Sequence, residues 1–482
     1  MSNQQTQQPA VAIPLPKGKR TAVLIGCICM MLSVAMYGLV FATLTTPILK
    51  SVDALSQVAL FSILGALGVT IMTPIGGKLG DLIGRRNIVV IPGLICAVCG
   101  IAFAFVKSLI PLMILRLLIS LAQGAFTAAP YIIVSLIYER KDVPKAMGML
   151  AAAISVGGFG GSILAGILTD MGLLTVAVFM PAIPLLTGVL LIGLNMPNQK
   201  RQGKISIDVA GIGAFVVSLC GILLALNFGS SIGWTNPAVL AGFAIGIIAF
   251  VILIKVEGKA NEPLIPLKLF KNTQYTFLLI VGFICYFYMG AMNVYAPIAV
   301  TQVMGKPTAI AGALQMPRTI ICMILPTIAG AWVGKKVANS WKAMVVGTLL
   351  TAIPMAMLGF TNPSTSVVIF FVAITITGLA ESFRGVSITP AAQSTLEPQN
   401  LGVGTSLVNF FNSLAGTVAA TVFGIAYNLN TAADPTNVAN IQNGCNSVFL
   451  VAAVVSAIGF LLVIFVIKPQ MSKKEKEAAA NA

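Results

Sequence analysis

The chain has 482 residues, 57% of them hydrophobic and only 9% charged. Soluble domains carry about a quarter charged residues, so this balance, with a mean hydropathy of +0.97, excludes an ordinary water-soluble fold and calls for lipid as solvent. The formal net charge of +16 does not indicate nucleic acid, because the basic residues fall singly or in short groups between apolar runs and read as topology signals.

The chain opens on a polar tail with Pro9, Pro14 and Pro16, then Lys17, Lys19 and Arg20, and at once enters an apolar run of full spanning length. That pattern differs from a cleaved signal peptide. A helix needs about 20 apolar residues to cross the hydrocarbon core. The runs at 22–44, 57–77, 87–106, 109–137, 145–168, 173–195, 209–228, 236–255, 275–299, 308–333, 342–360, 366–393, 403–428 and 446–467 meet that need. They predict an all-α polytopic membrane protein of fourteen transmembrane helices arranged 6 + 2 + 6. The corresponding units are a tail at 1–21, a six-helix bundle at 22–195, a linker with two additional helices at 196–274, a second six-helix bundle at 275–467, and a tail at 468–482.

Charge tests this layout. Lys50, Lys107 and Lys306 are the basic residues of the outer loops, and Arg116, Arg318 and Arg384 fall inside spans. Every other Lys and Arg lies in a tail, in an inner loop or, for Lys145, Lys255 and Lys342, at the inner edge of a span, which places both termini in the cytoplasm and the protein in the cytoplasmic membrane by the positive-inside rule. Of the eight cysteines, all but Cys445 sit within apolar runs, so a disulfide framework is not expected. The chain has no histidine. Any proton coupling therefore falls to Asp or Glu, and no metal or other cofactor is expected.

Between the second and third runs lies Gly77-Lys78-Leu79-Gly80-Asp81-Leu82-Ile83-Gly84-Arg85-Arg86. Its glycines let helix ends approach around a tight turn, while Asp81, Arg85 and Arg86 need water or partners and belong at a membrane surface. The register of Gly77, Gly80, Asp81, Gly84 and the basic pair resembles the signature loop between helices 2 and 3 of the major facilitator superfamily of secondary transporters. An inserted helix pair between two sets of six resembles the fourteen-helix branch of drug:proton antiporters. So do Ile207-Asp208-Val209-Ala210-Gly211, Gly233-Trp234-Thr235-Asn236-Pro237, Glu262 to Phe270, and Gly402 to Phe411. Gly330-Ala331-Trp332-Val333-Gly334-Lys335-Lys336 reads as a decayed echo of the Gly77 loop without its acid.

The resemblance also marks departures. Helix 5 carries Gly157, Gly158, Gly160, Gly161 and Gly166 before Asp170, similar to the branch's glycine-rich antiporter motif. It implies close helix contact at the interface between halves, yet Ser162 stands where the family has proline. Drug-exporting members carry an Asp in helix 1 about nine residues before a proline; counting back from Pro47 reaches Gly38. Arg116 resembles the family's helix 4 arginine, with Gln123-Gly124 a turn later than usual. The resemblance implies a role in proton coupling or cavity charge; snorkelling or bonding to neighbouring carbonyls is the alternative.

Charges at bilayer depth are costly and mark sites. The candidates are Arg116, Arg318, Glu381 and Arg384, the last two spaced to form an i,i+3 pair that serves either proton coupling or the position of helix 12. Arg318 follows Pro317 and either binds a substrate anion or bridges to Glu381. Helix 9 corresponds to a cavity-lining helix in the family and offers Tyr288 and Asn293 as ligand contacts, while Tyr286 and Tyr295 fit a lipid-facing or interfacial role equally well. Asn409 and Asn412 in helix 13 are further donors, to ligand or between helices.

One acid against three arginines favours an anion. The expected function is a proton-coupled transporter, working as a monomer by alternating access, that moves a small amphipathic organic anion across the bilayer, with multidrug efflux by drug:proton antiport as the alternative. Gly77, Gly80, Asp81, Gly84, Arg85, Arg86, Gly157 and Gly161 are the expected conformational switch. No filter sequence suggests a channel. With no histidine and few acids, an enzyme's nucleophile–base or metal cluster is also missing.

Overall fold

The computed structural model describes residues 13–54, 57–139, 141–198, 208–260, 263–431, 434 and 437–473, and among these all regular structure is helical. Glu262, Ile207, Arg201 and the outer parts of both tails lie outside the described residues. Among the described residues, thirteen helices are long and apolar enough to cross a membrane. They are α1 Lys17–Thr45, α2 Leu60–Ile83, α4 Leu109–Ile137, α5 Val143–Asp170, α6 Leu174–Asn195, α7 Val209–Gly229, α8 Pro237–Glu257, α9 Thr273–Val303, α10 Ile310–Val333, α11 Ala338–Leu358, α12 Val367–Gln393, α13 Pro398–Thr431 and α14 Val438–Lys473. A further apolar helix, α3 Asn87–Phe103, has 17 residues. It ends short of the expected 87–106 because the chain turns out at Ala104, leaving a rod of about 25 Å.

Local chemistry sets the helix limits. Asp208, Asn236, Asn272 and Asn437 stand at the N-caps of α7, α8, α9 and α14, and each side chain accepts from a first-turn amide, that of Gly211, Ala238, Tyr275 and Ala439 respectively. Prolines explain the interruptions. α4 breaks at Ala128 before Pro130, α10 between Ala313 and Met316 before Pro317, and α12 after Gly385 before Pro390. In α9 the residues Ala291–Tyr295 and Ala299–Val303 wind as π-helix, a form that concentrates at functional sites. Faces rich in large aliphatics, such as Ile91, Ile95 and Val98 on α3 or Ile247, Ile248 and Val251 on α8, point outward, as they should where the solvent is lipid.

Packing follows one pattern twice. In the first group α1 lies against α5 and α6, α2 against α4, and α3 against α4 and α6; in the second α9 lies against α13 and α14, α10 against α12, and α11 against α12 and α14. Shifting each helix number by eight converts one set of contacts into the other. The groups meet where α2 packs on α13 and α5 on α10, two crossings that the same shift interchanges. α7 and α8 pack on each other, and α7 also touches α2 and α13.

Both crossings are glycine contacts at the end of the molecule that carries Arg85, Lys141 and Lys335, here called the basic end. Side chains on Gly77 would collide with Ser406 of α13, and on Gly148, Gly330 and Gly334 with the backbone of Pro326, Pro144 and Lys141. Gly330 and Gly334 thus serve as helix-packing positions, in the place that Gly77 holds in the first group. The α5 glycines behave differently from expectation. Gly157, Gly158 and Gly161 receive α1 at Leu32, Leu39 and Met36 within one group, while Gly160 and Gly166 face open space. Contact between the groups falls instead to Gly148, two to three turns closer to the basic end. Ser162, at the position of the absent proline, shares a hydrogen bond of 2.8 Å with Thr43 of α1.

Candidate functional site

The polar centre of the second group forms where the α10 break brings Arg318 beside α12. Arg318 Nη2 meets Glu381 Oε2 at 2.5 Å, the side chains being 12% and 27% exposed. Its Nη1 donates to Gln315 Oε1 at 3.2 Å, and Gln315 Nε2 donates to the Met292 carbonyl at 3.2 Å, inside the first π-helical stretch of α9. Gly378 makes the approach of α10 and α12 possible, since a Cβ there would stand 3.0 Å from Arg318 Cα. Cys322 Sγ closes the group, 3.8 Å from Glu381 Oε2 and 3.5 Å from the Gly378 carbonyl.

Arg384, one turn along α12, does not pair with Glu381. It is 1% exposed, donates to the Cys285 carbonyl of α9, and stacks near Tyr286 and Tyr288, whose ring centroids lie 4.9 and 5.1 Å from its Cζ. Helical spacing allowed the pair, but the better-placed partner for Glu381 comes from the neighbouring helix. Arg384 Nε and Nη2 and the Tyr288 hydroxyl are buried without hydrogen-bond partners.

Arg116 sits apart from this centre, in the first group. Its guanidinium lies over Phe41 and Phe61, with Cζ 4.2 and 5.0 Å from their centroids, and packs on Gly65 of α2. Among the described residues it reaches no carboxylate within ion-pair distance; aromatic faces carry its charge by cation–π attraction. Asn409 Nδ2 and Asn412 Oδ1 are buried without partners, Asn412 against Gly282 of α9. Asn293 is exposed in the π-helical turn.

Sequence reasoning missed Gln315, Cys322 and Gln393. Gln393 Nε2 donates to the Tyr131 carbonyl of α4 at 3.3 Å and to Thr405 Oγ1 of α13 at 3.1 Å, linking the two groups. A signal existed for Gln315, three residues before Arg318 and so one turn away; nothing in the sequence singles out Gln393.

At the basic end, Arg85 pairs with Asp81 one turn back on α2. Both charged heads stand over the start of α13. A Cβ on Gly402 would lie 2.5 Å from each terminal nitrogen of Arg85 and 2.8 Å from Asp81 Oδ1. The carboxylate is 3% exposed and faces a helix N-terminus, where the backbone dipole favours negative charge. Gly84 ends α2 at φ +97°, a conformation that disfavours side chains, and Asn198 Nδ2 holds the Ile83 carbonyl at 3.0 Å. Arg86 turns the chain into α3.

Two copies of one six-helix pattern, crossing through glycine contacts beside a charged loop and enclosing an ion pair at bilayer depth, define a multi-pass membrane transporter. The chain belongs to the Major Facilitator Superfamily, which it matches over residues 25–420. It is 30% identical over 419 residues to Multidrug transporter protein MdtP of Bacillus subtilis (strain 168), covering 86% of this chain and 76% of that one. It is 25% identical over 429 residues to Quinolone resistance protein NorB of Staphylococcus aureus (strain MRSA252), covering 86% and 88%. Among solved structures, the proton:xylose symporter XylE bound to 6-bromo-6-deoxy-D-glucose superimposes with a TM-score of 0.64 at 14% identity, over 93% of this chain and 96% of that one. At that identity the likeness concerns the fold alone.

Proposed function

We propose that this transporter is a proton-coupled exporter of amphipathic drug-like compounds in the cytoplasmic membrane. It would work as a monomer through fourteen spans, with α3 as the third, α7 and α8 as an inserted pair, and both termini in the cytoplasm. The observation that carries the reading is the Arg318–Glu381 ion pair. Anion transport was attractive because three arginines faced one acid, but an anion site needs an open guanidinium fork. Arg318 gives its fork to Glu381 and Gln315, Arg116 lies on two phenylalanine rings, and Arg384, whose Nε and Nη2 are unpartnered, is 1% exposed and held by a carbonyl between two tyrosines.

Protonation of Glu381 removes the charge–charge attraction through which Arg318 joins α10 to α12. That makes it the natural point at which a proton gradient biases one arrangement of the second group over another. Relatives named for multidrug transport and quinolone resistance support the substrate class. The glycine crossings at the basic end, with the positive-inside rule placing that end in the cytoplasm, support an outward-facing state.

Organic-anion transport remains the second reading on one observation: Arg384 Nε and Nη2 and the Tyr288 hydroxyl are unpartnered donors in one buried spot. Proteoliposomes with an imposed pH gradient separate the two. The first reading expects uphill movement of lipophilic cations and fluoroquinolones that Glu381→Gln abolishes. Gradient-driven uptake of organic anions alone, lost in Arg384→Met, would replace it with the second.

A further inference from the structure

The inserted helix pair closes on itself at the basic end through two carboxylates that the transport chemistry does not use. Asp208 precedes α7, and its Oδ1 accepts from the Gly211 amide at 2.8 Å. Glu257 ends α8, and its Oε2 accepts from Ile265 N at 3.1 Å, tying the following linker to the helix. Each acid thus spends one oxygen on a backbone amide. Their second oxygens, Asp208 Oδ2 and Glu257 Oε1, are both buried and without a hydrogen-bond partner. They converge at Gly211, where an added Cβ would collide with Asp208 Oδ2 and stand 2.9 Å from Glu257 Oε1. Glu257 as a whole is 4% exposed.

Two carboxylates whose buried oxygens converge on one spot repel unless a proton or a cation lies between them. We propose that Asp208 and Glu257 form a second proton-binding site, separate from Glu381, in which Glu257 carries the proton and donates it as a hydrogen bond to an ionised Asp208. The assignment of roles follows from the backbone: Asp208 caps the first amides of α7, and Glu257 lies at a helix C-terminus, where the dipole disfavours a negative charge. Among the described residues, the charged groups near Glu257 come from three other segments. Lys78 and Asp81 of α2, Lys268 of the linker and Glu397 before α13 line one cavity of about 730 Å³ with Glu257.

That cavity reaches the α2–α13 crossing, so the proton ties the inserted pair to the closing face. Its loss would place a second negative charge beside Lys78 and Asp81 and loosen the joint between α7, α8 and the linker. The site takes its proton from the basic face and is not on the substrate path between the halves.

The test is infrared difference spectroscopy of the full-length protein in lipid, with thermal unfolding followed across buffers from mildly acidic to alkaline. The native protein should show a protonated-carboxyl band that disappears as the buffer passes from mildly acidic through neutral, with unfolding temperature falling over that interval and levelling off once the proton is lost. Glu257→Gln keeps a hydrogen-bond donor and should remove both the band and the pH dependence while still folding; Asp208→Asn should do the same. Glu381→Gln should leave this band in place, which distinguishes it from any signal of the transport site. Absence of a band sensitive to Glu257, or an unfolding temperature that responds to sodium or magnesium in place of protons, would overturn the proposal.

Discussion

Removing the charge from Glu381 tests most of what the central geometry implies. Arg318 meets it at 2.5 Å and has one other acceptor, Gln315 Oε1 at 3.2 Å. Breaking a fully buried ion pair from one side costs about 3–5 kcal/mol; this pair is part-buried, so Glu381→Leu, which leaves Arg318 only Gln315 as acceptor, should fall below that range. Glu381→Gln keeps an amide oxygen in place, so the loss is that between a charge-assisted and a neutral hydrogen bond, about 1–2 kcal/mol. For a unit the size of one six-helix group, that corresponds to about 2–8 °C in unfolding temperature. Thermal unfolding in detergent should rank native above Gln above Leu, and the double variant Arg318→Leu with Glu381→Leu should recover much of the loss because no buried charge is left alone. Transport should separate from stability: in proteoliposomes Glu381→Gln should lose gradient-driven accumulation and keep substrate exchange. If Glu381→Leu is as stable as the native chain, or if the Gln variant still accumulates substrate against a gradient, the pair is neither an energetic link nor the coupling site.

Gly77→Val and Gly148→Val place a branched side chain against Ser406 and the Pro326 carbonyl; both should reach the membrane yet fail to transport, with cysteine cross-links across α2–α13 or α5–α10 suppressed, and normal transport in either would contradict a closing role. Asp81→Asn removes the partner of Arg85 at the start of α13, a loss of about 1–3 kcal/mol from one state of a two-state balance, so transport should fail while substrate binding survives in a filter assay. Arg384→Met should lower the unfolding temperature, because it deletes the α12 contact with the Cys285 carbonyl and both tyrosine rings; an unchanged temperature would show those contacts to be neutral. Cysteines introduced near Lys50, Lys107 and Lys306 should react with a membrane-impermeant reagent outside sealed cells, and one at Lys268 should not; the reverse pattern would invert the topology.

The helices were legible because lipid forces a simple code on them: an apolar run of fixed length, ended by caps such as Asn236-Pro237 and by glycines such as Gly84 and Gly233. The partners of buried charges were not legible in the same way. Glu381 has Arg384 one turn away on its own helix, and only the tertiary packing of α10 on α12 shows that Arg318, 63 residues distant, is the nearer cation. Spacing along a helix defines which residues share a face; it does not say which neighbour that face meets. The same limit applies to the α5 glycines. Their pattern announces a close helix contact, and it took the packing to show that α1 fills it and that Gly148 is the residue meeting the other half. Cation–π partners such as Phe41 and Phe61 lie still further from reach, since aromatic residues are common in every apolar run.

The two crossings at the basic end occupy equivalent places in the repeated pattern, but they are built from different materials. Where α5 meets α10 the seam is dry: glycine against backbone at Gly148, Gly330 and Gly334. Where α2 meets α13 the seam carries the Asp81–Arg85 charges over the first turn of a helix. Dispersion contacts act only at close range, whereas the Asp81–Arg85 charges act over longer distances and, at 3% and 11% exposure, are little screened by salt. A protein fastened by one seam of each kind should part unevenly, and cross-links placed across α2–α13 and across α5–α10 would report the opening of the two edges separately.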